Sequence, residues 1–164
     1  LPAGLRKSSK LPAILHTPTT KDEKDLPLSW EQAVELIGNA DEAETIHRVG
    51  IELFEQAAAR AEAAGVILAD TKFEFGRLDG QLVLIDEVFT PDCSRYWPAD
   101  EVVEGEEPPS YDKEIVRAYL RSLEDWNRTP PPPTIPAEVI QRTRARYFEI
   151  CRILTGSLPA GVKD

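Results

Sequence analysis

The longest periodic stretch of the chain lies between Asp41 and Gly65. There Ile46, Val49, Leu53, Ala57, Ala61 and Ala64 recur at helical spacing and form one apolar stripe. Asp41 is placed to cap this helix and Gly65 to stop it. The alanines let the stripe approach a sheet closely, so the helix reads as scaffold. Upstream, Ser29-Trp-Glu-Gln32 fits a capping box with Leu28 and Ala33 as a staple, which predicts a short helix to Ile37 ended by Gly38. A third helix should begin at a Ser110 cap with Asp112 in its first turn, burying Ile115, Val116, Tyr119, Leu120 and Leu123. The last should start near Pro136, turn Ile140, Thr143, Tyr147, Cys151 and Leu154 inward, and end at Thr155-Gly156. Residues 1–28 show no period and read as extended coil, and 130–133 as a rigid polyproline spacer.

Two β-rich runs, 66–76 and 81–88, are bounded by glycine and read as a hairpin, so the expected class is α+β, an antiparallel hairpin covered by helices. Alternation along the first run places Asp70, Lys72 and Glu74 on one face and Ile67, Phe73 and Phe75 on the other. A three-residue loop, Leu78-Asp79-Gly80, pairs 74 with 84 and 72 with 86, which brings Asp86 beside Lys72 and Glu74. A two-residue Asp79-Gly80 turn would shift the register by one and send Asp86 to the opposite face. Two carboxylates and an ammonium suit Mg²⁺ and a phosphoryl oxygen, because Mg²⁺ takes one or two protein carboxylates and fills its other positions with water and substrate phosphates. The plainer alternative is a surface Lys–Asp pair worth under ~1 kcal/mol. The following loop adds Asp92, Ser94 and Arg95.

Composition narrows the setting. The chain has 164 residues, 41% of them hydrophobic, which suits a single domain. Its net charge of −10 argues against a nucleic-acid surface, which needs a clustered cationic footprint. No apolar run approaches the ~20 residues of a membrane span, and two cysteines make no disulfide framework, so a reducing, cytoplasmic setting is expected. The absence of methionine and the opening Leu1-Pro-Ala-Gly-Leu suggest part of a longer protein. His16 is read as lone, His47 as structural or exposed, and the acidic residues 100–107 as solvated surface. Lys113, Arg117 and Arg121 form a basic stripe whose ordinary reading is solvent contact.

Taken together, Leu-Ala-Asp70-Thr-Lys72-Phe-Glu74-Phe-Gly76, Leu-Ile-Asp86-Glu87-Val-Phe-Thr-Pro-Asp92-Cys-Ser94-Arg95-Tyr-Trp97 and Ser110-Tyr-Asp112-Lys113-Glu-Ile-Val-Arg117 resemble SAICAR synthetase. Thr17-Pro18-Thr-Thr-Lys21 and the terminal Leu-Thr-Gly156 are similar to segments of the longer form of that family. The resemblance implies that residues 1–164 are the C-terminal catalytic lobe of a two-lobed, ATP-grasp- or kinase-like fold. Within it lie an extended segment at 1–28, helices at 29–64, an active-site hairpin and loop at 66–95, and helices at 110–156.

The implied reaction joins L-aspartate to carboxyaminoimidazole ribonucleotide with ATP and Mg²⁺, through an acyl phosphate, releasing ADP and phosphate. Glu74 and Asp86 would handle Mg²⁺–ATP and Lys72 a phosphate or the carboxylate. Asp92, Ser94 and Arg95 would line the ribonucleotide site, and Asp112, Lys113 and Arg117 would add substrate contacts. The implied partners are these small molecules and the N-terminal half of the same enzyme, with no nucleic acid or membrane. The sequence departs from the family after Lys21, where Asp22-Glu-Lys-Asp replaces a His-Asp-Glu-type segment, and at Cys93, a variable small position. None of its nine glycines forms a phosphate loop, so the chain alone is expected to turn over little or nothing. Two alternatives are an inositol-phosphate-kinase-like phosphotransferase and an interaction module without turnover.

Overall fold

The computed structural model describes residues 3–21 and 24–162. The altered segment after Lys21 therefore falls partly outside the described residues, at Asp22 and Glu23. The elements in order are α1 (Trp30–Ile37), α2 (Ala40–Ala63), β1 (Val66–Thr71), β2 (Glu74–Leu78), β3 (Gln81–Ile85), β4 (Ser94–Pro98), α3 (Glu114–Ser122) and α4 (Ala137–Thr155), with a 3-10 turn at Ala99–Glu101. The chain is α+β, as expected, but its strands form two separate two-stranded sheets, β1 with β4 and β2 with β3. It divides into two compact units. One holds Leu1–Ser9, Ala58–Lys72 and Glu87–Asp164, and the other Lys10–Ala57 and Phe73–Asp86.

In the second unit the capping box forms: the Gln32 amide donates to Ser29 Oγ at 3.2 Å, and the Ser29 amide donates to Gln32 Oε1 at 2.8 Å. Gly38 closes α1 with φ +74°. The cap of α2 differs from expectation. Asn39 Oδ1 accepts from the Glu42 amide at 3.1 Å, so Asp41 sits inside the first turn. Arg77 of β2 holds Glu42 and also donates to the Ile37 carbonyl at 3.1 Å, tying the hairpin to the α1–α2 corner. His16 is not alone, because its Nδ1 lies 2.9 Å from that of His47 and both rings meet Trp30 edge-on. Burial, then the neighbouring His47, holds the His16 imidazole below the ordinary histidine range.

The hairpin register also differs. β2 and β3 pair Glu74 with Ile85 and Leu78 with Gln81, so the turn is the two-residue Asp79-Gly80. Both turn residues have positive φ, +51° and +78°, the combination that matches the right-handed twist of the strands. The ladder thus starts at Glu74, and Asp86 lies beyond the end of β3, in a left-handed bend at φ +66°. The expected pairing of 72 with 86 does not form.

In the first unit, β1 pairs antiparallel with β4, a strand falling where a loop was expected. Val66, Leu68, Tyr96 and Pro98 face inward, and Val66, Leu68 and Tyr96 are buried in a core shared with Ala61, Tyr111 and Ile150. The α3 cap moves too: Asp112, not Ser110, accepts from the Glu114 amide, at 2.8 Å, while Ser110 donates to the Tyr96 carbonyl at 3.4 Å. On α4 the inner face includes Ile150, fully buried, whereas Ile140 is 53% exposed. Gly156 ends α4 at φ +78°. Among the described residues no helix is long and apolar enough to cross a membrane.

Truncating Ile150 to alanine removes buried methyl groups and leaves a cavity, so it should cost about 2–5 kcal/mol. Ile140→Ala should cost under about 0.5 kcal/mol. Urea unfolding midpoints of the two variants check the difference.

Candidate functional site

The site begins with an irregularity in β1. A bulge between Leu68 and Asp70 places Asp70 opposite Arg95, where uninterrupted alternation would turn it to the Val66–Leu68 face. Arg95 Nε donates to Asp70 Oδ1 at 2.9 Å, and its Nη2 donates to Oδ2, a two-point pairing of fork and carboxylate. This hydrogen bonding to Asp70 raises the Arg95 guanidinium above its ordinary range. On the buried side of the same strands Thr71 Oγ1 lies 2.8 Å from Ser94 Oγ, and Ser94 is 3% exposed. The Lys72 amide donates to the Cys93 carbonyl at 3.0 Å and extends the ladder by one step.

The turn into β4 is closed by the Thr90 carbonyl, which accepts from the amides of Cys93 (3.2 Å) and Ser94 (2.9 Å). It leaves Asp92 beside α4, where the Tyr147 hydroxyl donates to Asp92 Oδ1 at 2.6 Å. Lys113 Nζ stands 3.9 Å from the same oxygen. Burial, then the hydrogen bond to Asp92, pushes the Tyr147 phenol upward. The Tyr111 amide donates to the Tyr96 carbonyl at 3.0 Å, which docks the residues ahead of α3 along β4. The Tyr96 hydroxyl reaches the Phe89 carbonyl at 2.8 Å, and burial pushes its phenol up to about 12.

These segments surround a cleft of about 370 Å³, and all six residues expected to contact substrate, Asp92, Ser94, Arg95, Asp112, Lys113 and Arg117, line it. The wall also includes Asp70, Trp97 and Glu107, which the sequence reading did not assign to the substrate site. Tyr147, read only as an inner-face residue of α4, acts on the cleft through Asp92. The three residues expected to serve nucleotide and metal do not line this cleft. Lys72 ends the β1 segment of the first unit. In the second unit Glu74 pairs with Lys21, and Asp86 follows β3 as an exposed residue. Among the described residues no group of three or more His, Cys, Asp or Glu side chains is arranged to hold a metal.

On an α+β scaffold the cleft interleaves carboxylates with arginine and lysine, a lining chemically suited to a small, charged, multiply hydrogen-bonding molecule. The SAICAR synthetase family model matches residues 1–133, and the chain belongs to that family. It is 49% identical over 160 residues to the phosphoribosylaminoimidazole-succinocarboxamide synthase of Stenotrophomonas maltophilia strain R551-3, covering 95% of this chain and 51% of the relative. The synthase of Desulfotalea psychrophila strain LSv54 is 46% identical over 159 residues, covering 95% and 53%. Among solved structures, the SAICAR synthase from Saccharomyces cerevisiae complexed with SAICAR superposes with a TM-score of 0.81 at 37% identity, over 97% of this chain and 52% of that one. A type-2 SAICAR synthetase in complex with ADP gives 0.58 at 26% identity, over 82% and 47%. The chain spans about half the length of the curated relatives it matches.

The Tyr96 phenol has a definite pH signature. Its folded-state pKa, about 12, lies above the ordinary value of 10.0, so the fold favours the neutral form. This contribution to stability is complete below pH ~10 and is lost as pH rises from ~10 toward 12. Urea midpoints measured across that window should fall in the native chain and fall less in Tyr96→Phe.

Proposed function

We propose that this chain carries the ribonucleotide-binding part of an ATP-dependent ligase of purine synthesis. The ligase joins L-aspartate to carboxyaminoimidazole ribonucleotide and yields SAICAR, ADP and phosphate. The observation that carries this reading is that six motif residues, separated by up to 25 positions, meet in one cleft. Arg95 uses Nε and Nη2 on Asp70 and so turns a guanidinium of held orientation toward the cleft, where its other donors suit a phosphate or carboxylate. Lys113 and Arg117 supply further positive charge. Asp92 is contacted on Oδ1, and its second oxygen suits a ligand hydroxyl or N–H.

A carboxylate is a poor electrophile. Phosphorylation of the ribonucleotide's carboxylate by ATP would create an acyl phosphate, and attack by the aspartate amine would expel phosphate and form the amide. On this reading Glu74 and Asp86 hold Mg²⁺ and Lys72 meets a phosphoryl oxygen. The fit lies in donor type alone: two carboxylates match what Mg²⁺ takes from protein when phosphates and water supply the rest. The two-residue turn puts Asp86 in the bend after β3, not on the Glu74 face, and Glu74 itself pairs with Lys21. The bound ion supplies neutralisation of the triphosphate charge. The remaining half of the family length would provide the nucleotide cradle, and the enzyme would act in the cytoplasm.

Calorimetric titration of the chain with SAICAR tests the assignment. Saturable binding is expected, weakened roughly 10- to 100-fold by Arg117→Ala and by Arg95→Ala, the range for losing a hydrogen bond to a charged group. No heat at millimolar SAICAR, or unchanged affinity in both variants, would refute it. In the full-length protein, ADP release should require both aspartate and ribonucleotide; release without aspartate would point to a phosphotransferase.

A further inference from the structure

The cleft has an electrostatic problem. Five carboxylates line it, those of Asp70, Asp92, Glu107, Asp112 and Glu114, against three cations, Arg95, Lys113 and Arg117. A surface with excess negative charge repels the anions that its arginines and lysine would otherwise attract.

Two of those carboxylates are claimed by cations that stand outside the wall. Arg121 pairs with Glu114 along α3. Lys7 Nζ lies 2.7 Å from Glu107 Oε2, one hundred positions away in the chain. Lys7 is part of a strap on the acidic loop. Arg6 Nη2 reaches Glu104 at 2.8 Å, Ser9 also bonds Glu104, Ser8 donates to the Val103 carbonyl at 2.9 Å, and the Gly105 amide donates to the Lys7 carbonyl at 2.8 Å. The hydrogen bond from Lys7 is the largest influence holding the Glu107 carboxyl below its ordinary range, with smaller pulls from Arg95 and Arg121. Glu107 in turn acts on Arg95.

We propose that Lys7 is a specificity-determining residue for the cleft. By engaging Glu107 it offsets the charge of one of the five wall carboxylates, and so makes the site more receptive to an anionic ligand. This rests on the reading of the cleft as an anion site but not on the identity of the anion. Lys7 touches no ligand; it acts through Glu107.

The test titrates the chain with two probes, SAICAR and inorganic pyrophosphate, the second being a polyanion without purine chemistry. Lys7→Ala should weaken binding about two- to fivefold, the scale of one partly exposed charge pair. Lys7→Glu should weaken it further. In the Glu107→Gln background Lys7→Ala should have little effect, a rescue that a loss of packing would not give. Binding of pyrophosphate without SAICAR would overturn the ligand assigned above, while the same pattern of variants on pyrophosphate would still support the role of Lys7. Equal affinities of native and Lys7→Ala chains for both probes, a Lys7→Ala loss that persists with Glu107→Gln, or no binding of either probe would overturn the proposal.

Discussion

The pairing of β1 with β4 depends on one extra residue. Had β1 run without its bulge, Asp70 would share the face of Val66 and Leu68, where an unpaired carboxylate costs several kcal/mol. With the bulge, the two strands keep Val66, Leu68, Tyr96 and Pro98 inward while Asp70 meets Arg95 on the open side. A hydrophobic requirement and a polar one are both met by the same two short strands. Arg95 gains an orientation that a lone surface arginine, with its many rotamers, would lack.

The same economy shapes the edge of β4. The carbonyl of Tyr96 accepts from the Tyr111 amide and the Ser110 hydroxyl, and the Tyr96 phenol donates to the Phe89 carbonyl. One buried tyrosine thus holds the turn before the strand and the segment after the acidic loop. That segment delivers Asp112, Lys113 and, one helical turn further, Arg117 to the cleft. The Lys113 and Arg117 positions read in the sequence as a solvent-facing stripe. They line a cleft because backbone hydrogen bonding to β4 sets where α3 begins, and no local periodicity encodes that.

What was legible in the sequence follows the range of the interactions. The capping box at Ser29 and Gln32 and the left-handed stops at Gly38, Gly65 and Gly156 are local, and they read correctly. The hairpin register was not, because Gly80 ends both a two-residue and a three-residue loop acceptably, and only strand twist selects the shorter one. β4 was hidden by Pro91 and Pro98 at its flanks and by its partner's distance in sequence. The motif residues Asp92, Ser94, Arg95, Asp112, Lys113 and Arg117 were found through their likeness to a family. Tyr147 and Glu107 carried no such flag, since an inner-face tyrosine and one member of an acidic run look like core and solvated surface.

Asp112 shows how binding and folding share residues here. It is 5% exposed, yet its Oδ1 accepts the Glu114 amide and starts α3. A buried carboxylate at a helix start is stabilised by an amide it accepts from and by the helix dipole, and pulling it onto a ligand would leave the Glu114 amide unsatisfied. On the proposed reading its part in the cleft is therefore indirect: it holds the first turn of α3, and with it Lys113 and Arg117, in place. Asp92 has no such backbone duty. Its contacts come from the Tyr147 hydroxyl and the Lys113 ammonium, both on side chains, which leaves it the freer of the two carboxylates to meet a ligand.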